Sequence, residues 1–101
     1  MLHLRFALLL AACATTFAVL AQARTIPDQA KRGEARHVHD MLIEIDGVQQ
    51  RLGPGAQIRD ASNRVILPTA LPVGAPVKYV MNGEGHVRQV WILTPEEAAK
   101  P

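Results

Sequence analysis

The sequence predicts an all-β domain, a small antiparallel barrel or sandwich of about five to six short strands, preceded by a cleaved N-terminal signal helix. Three observations predict it. From His37 onward, short apolar bursts are separated by Gly, Pro, Asn and Asp, the texture of strands joined by tight turns. Within those bursts the apolar residues recur every second position, so one face of each strand is inward. Residues 1–23 follow a different order: Arg5, an apolar run from Phe6 to Leu20, then the small-x-small step Ala21-Gln22-Ala23.

That order is what a secretory signal peptide needs, because the basic end stays cytosolic while the apolar segment enters the translocon. Cleavage after Ala23 makes Arg24 the first residue of the mature chain, which is then expected in the periplasm. The apolar core is short of the ~20 residues a spanning helix needs, which favours removal over a retained anchor. Leu10-Ala11-Ala12-Cys13 also matches a lipobox, so the alternative is an envelope protein lipidated on Cys13. Against it, Thr15 to Leu20 stay largely apolar where a lipoprotein turns polar. Cleavage after Ala23 removes the only cysteine, leaving no disulfide, no zinc–thiolate site and no thiol nucleophile.

Charge excludes another class. The full chain has a formal net charge of +2, and cleavage removes Arg5 from that balance. A nucleic-acid or anionic-membrane binder would show a strong basic cluster. The local excess at Lys31, Arg32 and Arg36 is diluted by Asp28 and Glu34 and reads as a solvated tail. Residues 24–36, polar and interrupted by Pro27 and Gly33, are therefore expected to be a flexible lead-in to a β domain spanning 37–97.

Met41, Ile43 and Ile45 share one face of the first strand or two, and Asp46-Gly47 then supplies a type I′ hairpin turn. The returning arm, 48–52, places Val48, Gln50 and Leu52 together, and Gly53-Pro54-Gly55 is expected to break it outright. A short strand at 56–59 with Ile58 inward, a turn at 60–63 and the burst Val65-Ile66-Leu67 follow. Residues 69–76 contain Pro72, Gly74 and Pro76 and read as an irregular crossing pinned by Leu71 and Val73. The clearest hairpin joins 77–81 to 87–93 through Asn82-Gly83-Glu84-Gly85, with its register left open. Thr94-Pro95-Glu96-Glu97 is a capping box that starts a single helical turn, and 98–101 is a tail.

Candidate chemistry is sparse. His37 and His39 lie two apart, so on a strand both imidazoles point the same way, and His86 from the last hairpin can complete a copper or zinc site. Two histidines in a polar segment are more often plain surface residues. Glu44 and Asp46 share a strand face, but the turn explains Asp46, and Ser62 sits in a turn with no nucleophile elbow around it. Gly53-Pro54-Gly55 puts a proline where a phosphate cradle needs an amide. No catalytic set and no cofactor are predicted. Tyr79 and Trp91 read as core anchors; the other reading is a barrel-face groove for a peptide or glycan, lined by Trp91, Arg88 and Arg59.

The segments Arg51-Leu52-Gly53-Pro54-Gly55-Ala56-Gln57-Ile58-Arg59 and Val90-Trp91-Ile92-Leu93-Thr94 resemble those of a group of small exported proteins of Gram-negative bacteria. The resemblance runs from His37 to about Glu97 and implies periplasmic residence and a β fold, with no activity attached. The strand order, with its Leu71-Pro72-Val73-Gly74 step, is loosely similar to periplasmic OB-like barrels. The Trp/Met arrangement of copper-binding members is not reproduced. The expectation is an exported, non-catalytic binding or accessory module whose partner is an envelope protein or ligand. It uses no nucleic acid, and it meets the membrane only through its export signal or, in the alternative, a lipid anchor.

Overall fold

Asp46 and Gly47 take φ of 53° and 84°, the left-handed pair that a type I′ turn demands. Their turn joins β2 (Leu42–Ile45) to β3 (Val48–Arg59), with Ile45 opposite Val48 and Leu42 opposite Arg51. Before it, β1 (Lys31–His39) turns into β2 through Asp40, itself at φ 48°. The computed structural model describes residues 24–100. Residues 1–23, which hold the expected cleavage residues Ala21 and Ala23 and the lipidation candidate Cys13, lie outside the described residues, as does Pro101.

After β3, Asp60 caps a tight turn by accepting from the amides of Ser62 and Arg64, both at 2.9 Å. The chain returns as β4 (Val65–Ile66), makes a 3-10 turn at Pro68–Ala70, and forms the hairpin β5 (Ala75–Met81) and β6 (Val87–Ile92). The helix α1 (Pro95–Ala99) has the expected capping box: Thr94 Oγ1 accepts from the Glu97 amide and the Glu97 carboxylate from the Thr94 amide, each at 3.0 Å. Ala98 and Ala99 belong to this helix, not to a tail.

The six strands form one sheet, ordered β2-β1-β5-β6-β3-β4, and a further β2–β3 pairing joins its first and fifth strands. The pairings therefore run round a ring, β1-β2-β3-β6-β5, with β4 appended to β3. All-β architecture holds, but the sheet is not wholly antiparallel. β3 and β6 pair in parallel, with Ile58 opposite Val90 and Arg59 opposite Trp91. The core lies inside this ring: Ile43, Ile58, Val77, Val87 and Val90 are fully buried.

The flexible lead-in is corrected. Lys31 to Ala35 pair with β5, and Ala35 to His39 pair with β2. The inward positions of this stretch are Gly33 and Ala35, too small to register as an apolar burst. They are small because β2 crosses closely: a Cβ at Gly33 would lie 2.6 Å from Ile45 Cγ2. The break at Gly53-Pro54-Gly55 is corrected too, since β3 runs through it to Arg59. Pairing with β6 is suspended between Leu52 and Gln57, so the proline interrupts no ladder there, and Gly55 absorbs the kink at φ 76°. Leu71 is buried as expected, whereas Val73 is 84% exposed and pins nothing.

Candidate functional site

A β-bulge decides what the last hairpin presents. Met81 faces Val87, but the next residue back, Val80, faces Gln89, so Arg88 is the extra residue on β6. The bulge switches parity: Val87 and Val90 both point inward, which strict alternation forbids. The register left open by sequence thus resolves into neither simple parity. Tyr79 and Met81 pack against the core cluster, while Val80, Trp91 and Leu93 are buried outside it.

Trp91 lies between the inward-packed Val90 and Ile92, so it points to the outer face of the ring. Successive registers place Arg32, Lys78, Trp91 and Arg59 in one row across β1, β5, β6 and β3. Yet Trp91 is only 8% exposed. Both termini are fastened at the ends of this row. At one end Arg32 donates to the carbonyls of Ala98 and Lys100, tying the end of α1 to β1. At the other side Arg24 donates to the Ile92 carbonyl at 2.5 Å and the Asp60 carbonyl at 2.7 Å. Its fork also reaches both Glu97 carboxylate oxygens, at 2.8 and 3.2 Å. Arg24 is therefore a clasp between the start of the described chain, β6 and α1, with its side chain 8% exposed.

The clasp sets local electrostatics. Its guanidinium, and to a lesser degree the Thr94 amide, hold the Glu97 carboxyl below the usual carboxylate range against the opposing effect of partial burial. Asp60 is likewise lowered, chiefly by the Arg64 amide it caps.

Two hollows open on the surface. One, of about 190 Å³, is lined by Gln29, Lys31, Tyr79, Val80, Met81 and Arg88. Lys31 is the direct cross-strand neighbour of Tyr79, and Arg88 is the extra residue of the bulge. Neither cation has an ion pair among the described residues. The other, of about 320 Å³, is more open and mostly apolar, with Ile66, Ala70, Pro72 and Ile92 beside the Asp60 turn.

The metal candidates are placed apart in function. His37 Nε2 donates to the Asp40 carbonyl at 2.9 Å, and His39 Nε2 lies 3.0 Å from Asp40 Oδ2. His86 packs its Cβ toward Gly53, and its Nδ1 is buried without a hydrogen-bond partner. Among the described residues no three His, Cys, Asp or Glu side chains gather around a common point. Glu44 is engaged by Arg36 at 2.8 Å, and Asp46 accepts from the Glu34 amide. Of the groove expected from Trp91, Arg88 and Arg59, the structure pairs Trp91 with Arg59 and sends Arg88 to the hollow beside Tyr79. Arg24 and Lys31 were hidden in the polar lead-in; the two-residue period Lys31-Gly33-Ala35 is the signal that reveals Lys31 as a strand residue.

No family model, curated protein or solved structure matches the chain.

Proposed function

We propose that this chain is an exported, non-catalytic binding module of the periplasm, built on an OB-like ring of five strands. One observation carries the reading. The ring's centre is filled by its own apolar side chains, and the two hollows open at the surface, each lined in part by residues packed against that core. A surface hollow bordered by an aromatic ring and unpaired cations suits recognition. The order of residues 1–23 and the resemblance to small exported Gram-negative proteins support the compartment. The ring order, with its parallel β3–β6 contact, supports the OB-like description.

Two measurements test it together. Fractionation of expressing cells with intact-mass analysis should find a periplasmic product that begins at Arg24. A cytosolic product that retains Met1 contradicts export, and a mass increase from acylated Cys13 replaces this reading with the lipoprotein one. Thermal melting against fractionated envelope extract should then find a component that raises the midpoint and is recovered chemically intact. Its conversion into a product would overturn the non-catalytic part.

A further inference from the structure

The hollow beside Tyr79 has features that the fold alone does not require. Three separate devices build it. The β1–β5 register sets Lys31 directly across from Tyr79. On β6 the hollow is bordered by Arg88, the extra residue of the bulge. The segment before β1 contributes Gln29. The lining thus contains two cations and no carboxylate, and neither cation is ion-paired among the described residues. Bringing two positive charges around one small hollow raises their mutual energy, and an anion between them reverses the sign of that term. Tyr79 and Met81, on one face of β5, give the lining an aromatic and aliphatic wall suited to the face of a ring, and Val80 between them is buried. At about 190 Å³ the space exceeds the ~150 Å³ cavity that accommodates a benzene ring, so one six-membered ring fits.

We infer that this hollow binds a carboxylated six-membered ring, its carboxylate held between Lys31 and Arg88 and its ring laid against Tyr79. The inference rests on the binding-module reading and names its ligand chemistry. The carboxylate can come from an acidic sugar or from an aromatic acid, and both present the same anion on the same size of ring. Arg88 supplies a planar fork for the carboxylate, Lys31 a second point charge, and Gln29 a neutral hydrogen-bonding group at the rim.

The test is a titration of the ¹⁵N-labelled chain, in the form in which it is purified, with glucuronate, benzoate, glucose and sodium chloride. Saturable shifts at Lys31, Tyr79, Met81 and Arg88 with glucuronate or benzoate, and none with glucose, are expected. The stronger of the two acids identifies the source of the ring. Arg88→Gln and Lys31→Gln should each weaken binding about tenfold, while Trp91 fluorescence stays that of the native fold. Equal shifts with sodium chloride, or shifts spread over the whole surface, overturn the assignment, as does affinity unchanged in the double variant. The two readings fail separately. If the envelope component still stabilises the Lys31→Gln/Arg88→Gln protein, the binding module stands and this hollow is not its site.

Discussion

Among the described residues Arg24 makes the most side-chain hydrogen bonds, four in all. One guanidinium satisfies two backbone carbonyls and both oxygens of Glu97, linking residues 73 positions apart in sequence. Arg24→Ala removes the fork and leaves those acceptors unpaired, so urea unfolding should show a loss of about 2 kcal/mol. Arg24→Lys should restore less than half of it, because an ammonium cannot span both carboxylate oxygens. Equal stability of Arg24→Ala and the unmutated protein would contradict the clasp. Glu97 makes the same contact pH-dependent. Its folded pKa is depressed below 4.5, so its contribution is complete above the unfolded value and disappears as pH falls through the lower, folded one. Stability measured between neutral and strongly acidic pH should therefore fall less steeply in Glu97→Gln than in the unmutated protein. Parallel curves would show that the carboxylate is not held.

Strands and turns were legible where their chemistry is local. Asp46-Gly47 contains all that a type I′ turn requires, and Thr94 to Glu97 all that a capping box requires, so both appear as read. The first strand was not legible, because its inward residues are small for the sake of a neighbour that the local pattern does not show. Gly33 and Ala35 face β2 at a close crossing, and only the pairing reveals them as a core face. The continuity of β3 through Pro54 was hidden for a related reason: the proline falls where the β6 partner is already out of register. The same division holds for the site. Tyr79, Arg88, Arg59 and Trp91 stood out by residue type, but the bulge that turns Val87 inward and leaves Arg88 as the extra residue depends on long-range register. Glycine substitutions test this account of β1. In Gly33→Ala the new methyl would meet Ile45, at a cost of about 1–3 kcal/mol from overpacking. In Gly47→Ala nothing lies within 4 Å, and the backbone at φ 84° alone opposes the change, at about 1–2 kcal/mol. Equilibrium melts should show Gly33→Ala also weakening amide protection in both β1 and β2, whereas Gly47→Ala should affect the β2–β3 turn. Unchanged protection across Gly33 would place the polar lead-in back outside the sheet.

At the scale of the molecule, one contact turns a series of hairpins into a ring. β1, β2 and β3 form a meander, and β5 and β6 form a hairpin. The β1–β5 pairing joins them at one side, and the parallel β3–β6 pairing closes the other. Everything proposed for function depends on that closure. It encloses the apolar residues, turns Trp91 outward beside the terminal clasp, and leaves Tyr79, Lys31 and Arg88 around a surface hollow. Parallel pairing between distant segments has no sequence signature of its own, which is why the closing contact was the least legible part of the fold. Nuclear Overhauser spectroscopy reads it directly. Cross-strand contacts should connect Gln57 with Gln89, Ile58 with Val90 and Arg59 with Trp91 in ascending, parallel register, and the amides on this side of β6 should exchange slowly. An antiparallel contact pattern between these strands, or no contact and rapid exchange along β6, would contradict the ring and the functional reading built on it.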